Sequence, residues 1–277
     1  MASAETSRRL IVNADDFGRS SASNRAVIRA HQDGILTTAS LLVNGGAFEE
    51  AVELAHQNPR LGVGLHLCLL RGCSELKPTE IPGLVNEHYR FSNHPVRTGL
   101  RYFFRVDLRS QLRQEIMAQL DKFRRTKLPL DHLDGHLNIH LHPTVCDLIA
   151  RHARDWSITG FRLTNDPLGL NLRLASGRWC YRLSHALIFA SLSRRVRPLL
   201  HELRIRHTQR VFGLLQNGRV TEDFVARLLP RLPAGDSELY SHPSMDKAEA
   251  ELAALVSPRI KAQVQELGIK LVRYQDL

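Results

Sequence analysis

Two adjacent aspartates stand at the end of the first apolar run of the chain, in the segment Asn-Ala-Asp-Asp-Phe-Gly at 13–18. Two neighbouring carboxylates on a tight turn cannot both point the same way. One of Asp15 and Asp16 can therefore bind a metal ion while the other faces a substrate as a proton acceptor. Alternatively, Asp16 caps the helix that follows, through the residues Gly-Arg-Ser at 18–20.

Histidines are abundant, and four of the 14 lie within eleven residues. Most of this group belongs to the stretch Asp-Gly-His-Leu-Asn-Ile-His-Leu-His-Pro at 134–143. If the chain is extended there, alternate side chains share one side. These side chains are Asp134, His136, Asn138, His140 and His142. Three histidines on one side of a strand end indicate metal binding or proton transfer, although spacing does not decide which of them binds the metal. Asp134 can orient a histidine from behind.

Two further histidines follow apolar runs elsewhere in the chain. His66 lies in the segment Gly-Leu-His-Leu, and His242 directly precedes a proline. Taken alone, each of these histidines is equally compatible with a structural place in the core or in a turn. Together with Asp16 and His136, however, His66 completes an Asp plus two His set, which suits a divalent metal ion with open positions for water and substrate. A histidine opposite the metal, such as His242, suits a general acid.

These residues need a scaffold that brings distant strand ends together, and the order of elements predicts one. The predicted strands cover 10–14, 36–43, 61–69, 130–134, 160–164, 210–215, 238–241 and 269–274. The predicted helices cover 20–33, 47–57, 107–125, 144–154, much of 171–208, 221–229, 246–255 and 258–267. Such alternation predicts an α/β fold with a parallel sheet, open or closed into a TIM-barrel-like (β/α) barrel. All the carboxyl ends of its strands then lie on one rim.

Two stretches interrupt this alternation. Residues 71–105 are rich in loops and long for a plain connection, so we expect a functional insertion there. Residues 171–210 hold nine arginines and one glutamate, and therefore carry +8 of the net charge of +10. This basic helical insertion is either a solvated face or a surface for an acidic partner such as anionic lipid or nucleic acid. The length of 277 residues predicts a single domain over 1–277.

Composition excludes several classes of protein. With 43% hydrophobic and 24% charged residues, the chain is globular rather than disordered. No apolar run approaches the roughly 18 residues of a membrane-spanning helix. Residues 1–9 are polar and lack the apolar stretch of a signal peptide, so we expect a cytoplasmic protein. The four cysteines form no CxxC pair, which indicates reduced thiols rather than a disulfide framework.

Taken together, these segments resemble the YdjC-like carbohydrate deacetylases. The resemblance rests on the segments at 13–18, 64–67, 134–143 and 238–243, and it extends over nearly the whole chain. It implies a TIM-barrel-like domain, often with distorted closure. It also implies one divalent metal ion, foremost Zn²⁺ or Mg²⁺, with Mn²⁺ or Co²⁺ as alternatives.

The same resemblance implies roles for individual residues. The metal ligands are Asp16, His66 and His136; the general base is Asp15 and the general acid is His242. Many members of the family have histidine at the position where this chain has Asn138. The residues expected to contact the substrate or support the ligands are Asp134, Asn138, His140 and Glu238. Of these, His140 is the reserve ligand.

The insertion segments narrow the resemblance further. Segments at 81–85, 93–97 and 101–104 are similar to the hopanoid-biosynthesis-associated members of the family. This implies hydrolytic removal of acetyl from an N-acetylglucosaminyl hopanoid, with 171–210 in peripheral contact with an anionic membrane at its inner face. The alternative substrate is a soluble chitooligosaccharide. The alternative from another class is a non-catalytic nucleic-acid-binding protein; because few aromatic residues accompany the basic stretch, we expect no nucleic acid partner.

Overall fold

The computed structural model describes residues 7–277. Its strands are β1 (Arg8–Phe17), β2 (Thr38–Leu41), β3 (Gly62–Leu67), β4 (Leu130–Gly135), β5 (Arg210–Phe212), β6 (Gly235–Ser241) and β7 (Lys270–Leu271). Six of them form a sheet in the order β4-β3-β2-β1-β6-β5, and β7 pairs with β1. Every strand pair is parallel. The carboxyl ends of the strands therefore share one rim, as the order of elements predicts.

Helices connect the strands and cover the sheet. They are α1 (Ser21–Asp33), α2 (Phe48–Gln57), α3 (Pro95–Phe104), α4 (Leu108–Arg125), α5 (Pro143–His152), α6 (Leu168–Leu174), α7 (Trp179–Glu202), α8 (Glu222–Leu228), α9 (Glu249–Val256) and α10 (Pro258–Glu266). The side chains of Ser20, Thr221 and Ser257 accept hydrogen bonds from first-turn amides of α1, α8 and α10. These caps fix where the three helices begin, because they satisfy amides that have no partner within the helix.

Alternation along the strands separates an apolar face of the sheet from a polar face. Leu10, Val12 and Ala14 of β1 are fully buried in the main hydrophobic core. Asn13 and Asp15 occupy the alternate positions, and both hydrogen-bond to other buried polar side chains. The apolar face thus supplies the core, while the polar face carries groups that can do chemistry.

The sheet is a half-barrel of parallel strands rather than a complete eight-stranded barrel. The predicted strand 160–164 is an extended segment with one isolated bridge to β4, Leu133 to Phe161, and another from Gly160 to Arg206. A continuous ladder does not form because β4 ends at Gly135 and the chain then turns away. The last predicted strand, 269–274, is likewise shortened to β7. The prediction of a parallel α/β fold is confirmed, and of its two forms the open sheet, rather than a closed TIM barrel, is present in residues 7–277.

Both interrupting stretches contain helices. The predicted helical character of 171–208 is confirmed by α6 and α7. The stretch 71–105 is loop-rich as expected, but it ends in α3, which the sequence did not predict. Gly99 in the middle of α3 lowers its intrinsic helix propensity, and tertiary contacts hold the helix instead.

No helix within 7–277 is long and apolar enough to cross a membrane. The expectation that the chain lacks a leader concerns residues 1–9, of which 1–6 lie outside the described part.

Candidate active site

Three side chains from the ends of β1, β3 and β4 converge at the rim. The Oδ1 atom of Asp16 lies 3.6 Å from His66 Nε2 and 3.2 Å from His136 Nδ1. Asp16 Oδ1 and His66 Nε2 are buried without a hydrogen-bond partner among residues 7–277. An aspartate with two histidines is a common donor set for a divalent cation, and their donor atoms lie within 4.8 Å of one another. The structure therefore brings together the residues that the resemblance implies as ligands.

The backbone at Asp16 explains why the two aspartates diverge. Asp16 has a φ of 62°, in the left-handed region that a non-glycine residue seldom adopts. Its carboxylate consequently turns toward His66, whereas Asp15 continues on the polar face of the sheet. The Oδ2 atom of Asp16 accepts a hydrogen bond from Arg19 Nη1 at 2.7 Å. Oδ1, which faces the two histidines, has no hydrogen-bond partner among residues 7–277 and is therefore the oxygen best placed to bind a cation.

The register of the sheet also orients His66. Residue 66 of β3 pairs with residue 134 of β4, so that His66 Nδ1 lies 2.8 Å from Asp134 Oδ1. This contact fixes the ring and turns Nε2 toward Asp16, as an outer carboxylate does in many metal sites. Burial lowers the pKa of His66, but the carboxylates of Asp134, Asp15 and Asp16 outweigh burial and raise the pKa to about 9. The site is thus strongly attractive to positive charge.

Arg162 lies at the centre of the site, although no pattern in the sequence pointed to it. It is fully buried on the polar face of the sheet. Its guanidinium donates two hydrogen bonds to Asp15, at 2.8 and 2.9 Å, and one to Glu238 at 2.8 Å. It also lies 2.6 Å from Asp134 Oδ2. Burial lowers the pKa of Arg162, but these three carboxylates outweigh it and hold the pKa well above its usual value.

The residues implied as base and acid lie side by side. Asp15 Oδ2 is 3.7 Å from His242 Nε2. Asp15 is buried and is held by Arg162 and by Asn13, whose Nδ2 donates to Asp15 Oδ1 at 2.8 Å. The ring of His242 is 31% exposed, and its backbone N–H donates to Glu251 Oε2 at 2.7 Å. A fixed carboxylate and an accessible imidazole can transfer protons to and from a bound ligand.

The extended arrangement expected for 134–143 is not present. The chain is extended only as far as Gly135, after which Leu137 and Asn138 adopt left-handed φ angles of 53° and 57°. The side chains after His136 therefore diverge instead of sharing one side. The interpretation of three histidines on one strand face was wrong for this reason.

The later histidines of this segment do not join the group formed by Asp16, His66 and His136. His140 is fully buried, with Nε2 2.9 Å from the carbonyl oxygen of Arg162, and burial lowers its pKa to about 4. His142 Nε2 lies 2.9 Å from the carbonyl oxygen of Gly99 in α3. Asn138 Oδ1 accepts a hydrogen bond from Thr164 Oγ1 at 2.7 Å. These three side chains tie neighbouring segments to the rim.

Glu238 supports the site through its contact with Arg162. Its carboxylate accepts hydrogen bonds from Arg162 and from the hydroxyl of Tyr274. Burial raises the pKa of Glu238 although Arg162 and Tyr274 oppose this effect. The residue thus anchors the guanidinium that in turn holds Asp15.

A polar cleft of about 340 Å³ opens beside Asp16 and His136. The other charged and polar side chains on its walls belong to Arg19, Asn44, Arg71, Cys73 and Arg90. Gly45 forms part of the wall, and a Cβ there would lie 2.1 Å from the carbonyl oxygen of Gly18. The charged and polar groups on these walls suit a polar ligand.

Comparisons with known proteins give relatives for the whole chain. A carbohydrate deacetylase of Geobacillus stearothermophilus is 29% identical over 97% of this chain and 98% of its own length. A chitooligosaccharide deacetylase of Serratia marcescens is 28% identical over the same shares. A carbohydrate deacetylase of Brevibacillus brevis is 36% identical, over 54% of this chain and 57% of its own length. The last match therefore spans little more than half of that relative.

A solved structure has the same fold. It is that of a candidate cellobiose-phosphate cleavage protein from Enterococcus faecalis V583, with a TM-score of 0.74 and 21% sequence identity over 98% of both chains. The family described as YdjC-like protein matches residues 9–266, nearly the whole chain. With this match, the chain belongs to the YdjC-like protein family.

Proposed function

We propose that this protein is a metal-dependent hydrolase that removes the acetyl group from an N-acetylated amino sugar. The observation that carries the proposal is the convergence of Asp16, His66 and His136 beside a polar cleft. Two of the converging atoms are buried and unpaired within 7–277, which costs free energy unless a ligand satisfies them. The names of the two full-length relatives, a carbohydrate and a chitooligosaccharide deacetylase, support an acetylated sugar as substrate.

Asp16, His66 and His136 would hold one divalent cation, foremost Zn²⁺ or Mg²⁺, with Mn²⁺ or Co²⁺ as alternatives. When bound, such a cation supplies Lewis acidity to the amide carbonyl and lowers the pKa of water. Asp15 accepts the proton of the attacking water. His242 donates a proton to the departing amine when the carbon–nitrogen bond breaks. The products are acetate and a free amino sugar.

The surrounding residues act by holding these groups in place. Arg162 fixes the carboxylate of Asp15, and Glu238 fixes Arg162. Asp134 fixes the ring of His66. His140, which hydrogen-bonds to the backbone of Arg162, supports the segment that carries the guanidinium. Among the residues that surround the proposed ligands, base and acid, we place the half-buried Asn138 nearest the substrate.

The finer proposal concerns the substrate, which we infer to be lipid-linked, as in an N-acetylglucosaminyl hopanoid. Trp179, Leu183, Leu187 and Ile188 of α7 are exposed on the basic stretch 171–210. Large apolar side chains beside arginines suit peripheral contact with an anionic membrane at its inner face. The alternative is a soluble chitooligosaccharide, which the name of the Serratia marcescens relative favours.

The test is acetate release from lipid-linked and soluble N-acetylglucosaminyl substrates. The protein is stripped of metal and reloaded with one ion at a time, and Asp16→Ala serves as the control that cannot bind metal. Metal-dependent release from the lipid-linked substrate alone supports the whole proposal. Release from soluble oligosaccharides supports the deacetylation reaction and contradicts a lipid-linked substrate. No release with any ion contradicts the deacetylase.

A further inference from the structure

Helix α3 is fixed to the rim that carries the candidate active site. The hydroxyl of Tyr102 donates to the carbonyl oxygen of Leu69, two residues after β3, at 2.8 Å. The hydroxyl of Thr144 in α5 donates to the carbonyl oxygen of Tyr102, also at 2.8 Å. Together with the contact between His142 and Gly99, these bonds hold one side of α3 against the ends of β3 and β4. The helix is therefore a rigid part of the rim.

The opposite side of α3 is apolar and uncovered. We call it the α3 outer face, and it consists of Val96, Leu100, Phe103 and Phe104. Val96 is 76% exposed and Phe104 is 70% exposed. Four large apolar side chains on three turns of one exposed helix are unusual on a protein surface, and such a patch indicates an interaction.

Three arginines accompany this patch, and an acid pairs with one of them, Arg105. Arg97, Arg101 and Arg105 recur every fourth residue and form a stripe beside the α3 outer face. No aspartate or glutamate occurs between residues 88 and 106. The nearest acid, Asp107, pairs with Arg105 at 2.8 Å. The surface is thus apolar and cationic at once.

A groove connects this surface with the active-site cleft. Arg71 and Arg90 line both the cleft and the groove, and His94 and Arg101 line both the groove and a depression of about 920 Å³ on α3. A ligand that reaches the cleft from the α3 side therefore passes Arg101, Arg90 and Arg71. Whatever covers the α3 outer face lies at the entrance of this path.

The charge pattern decides between two occupants. In a two-fold contact with a second copy through α3, Arg97 and Arg101 would approach the same arginines of the partner, and α3 itself carries no acid to offset the repulsion. The headgroups of anionic lipids carry the complementary charge, and the acyl region accepts Phe and Leu side chains. Arginines beside exposed Phe and Leu side chains therefore match the chemistry of an anionic bilayer surface.

We propose that the α3 outer face docks on a bilayer that contains anionic lipids and holds the active-site cleft at the membrane surface. The proposal deepens the lipid-linked form of the proposed function and rests on it for the identity of the substrate. It assigns membrane contact to a segment outside the basic stretch 171–210.

The experiment measures flotation of the protein with vesicles of phosphatidylcholine alone and of phosphatidylcholine mixed with phosphatidylglycerol. Wild type is expected to float with the anionic vesicles and to detach as salt increases. The double variant Val96→Ser, Phe104→Ser is expected to lose at least about tenfold in partitioning, because it removes the two most exposed anchors of the α3 outer face. Both residues are exposed and outside the catalytic machinery, so acetate release from a soluble substrate should stay unchanged.

Two controls keep the result specific to α3. Met117→Ser removes an exposed apolar side chain of α4, which is not part of the α3 outer face, and should bind vesicles like wild type. Leu187→Ser, Ile188→Ser tests α7, where the proposed function already places membrane contact, so weaker binding of this variant in addition to the α3 variant supports the proposal. The proposal is overturned if wild type does not float, if the α3 variant floats like wild type, if only the α7 variant detaches, or if the α3 variant converts a dimer into a monomer. Vesicle binding without acetate release would instead contradict the proposed function alone.

Discussion

Asp15 and Asp16 are chain neighbours with different surroundings, and their roles can be separated by substitution. Asp15→Asn keeps the shape of the side chain but removes its ability to accept a proton. We expect acetate release to fall by about 10² to 10⁴-fold, the usual contribution of a general base. Metal content, measured by elemental analysis, should stay near that of wild type, because Asp15 contributes no atom to the group formed by Asp16, His66 and His136. Unchanged turnover would rule out Asp15 as the base.

The matched variant is Asp16→Ala. It removes the one carboxylate that faces both histidines, so we expect loss of bound metal and of activity together. Metal retained at wild-type stoichiometry in this variant would place the cation elsewhere.

Arg162 stabilises the site because it is the buried cation among three buried carboxylates. Replacement with methionine keeps much of the side-chain volume and leaves Asp15, Asp134 and Glu238 without their shared partner. Breaking a buried ion pair from one side costs about 3 to 5 kcal/mol of the free energy of unfolding. Urea denaturation measures this loss. Glu238→Gln, which removes one anion and keeps the hydrogen-bonding shape, should cost less than Arg162→Met, and the reverse order would contradict the central role of the guanidinium.

Residue types predicted much of the site, and local backbone conformation explains what they did not predict. Asp16 and His66 could be placed at the rim because each stands at the end of an apolar run, whereas the choice of His136 among three histidines came from the family resemblance. Arg162 could not be found, because an arginine within an apolar run is equally compatible with a strand end at the surface. The divergence of His140 depends on two consecutive left-handed residues at 137 and 138, neither of which is glycine. No pattern in the sequence indicates such a turn.

At the scale of elements, Asp166 joins α6 to the loop that follows β5. Its Oδ2 accepts a hydrogen bond from the backbone N–H of Leu215 at 2.9 Å, and its Oδ1 accepts one from Asn171. The carboxyl group is buried, and burial raises its pKa to about 7 although nearby donors and the charge of Arg182 oppose this effect. The folded protein therefore favours the protonated carboxyl.

A pH dependence of stability follows from this raised pKa. Because the pKa of Asp166 is higher in the folded than in the unfolded chain, its contribution is fully present below about pH 4 and is lost as pH rises toward 7. Between pH 5 and 8 the free energy of unfolding should fall by about 2 to 3 kcal/mol more in wild type than in Asp166→Asn. Urea denaturation at the two pH values tests this. Parallel pH profiles of the two proteins would show that Asp166 does not titrate in this range.

The alternation of apolar runs and helical patterns was sufficient to predict the order of most elements, and its failures have physical causes. Segment 160–164 has the composition of a strand, but it forms one isolated bridge with β4, from Phe161 to Leu133, rather than a ladder. Helix α3 buries only Thr98 and Tyr102, so its apolar residues do not mark a core-facing stripe. Both errors arise where tertiary contacts, rather than local preference, decide the conformation.

At the scale of the whole molecule, the candidate metal site joins parts of the chain that lie far apart in sequence. Asp16 ends β1, His66 ends β3 and His136 follows β4, so a cation held by all three would cross-link the middle and one edge of the half-barrel. The unfolded chain keeps these residues apart and cannot bind the ion in the same way. Binding free energy therefore adds to the free energy of unfolding.

Metal removal should consequently destabilise the entire fold. At a free ion concentration about 1,000 times the dissociation constant, binding adds about 4 kcal/mol, which corresponds to a rise in melting temperature of about 10 °C. Calorimetry of chelator-treated protein before and after addition of Zn²⁺ or Mn²⁺ measures the rise. Asp16→Ala should melt at the same temperature with and without the ion, because the shared carboxylate is gone. A rise in melting temperature that persists in this variant would mean that the ion binds at another place. Asp16, His66 and His136 would then not form the metal site.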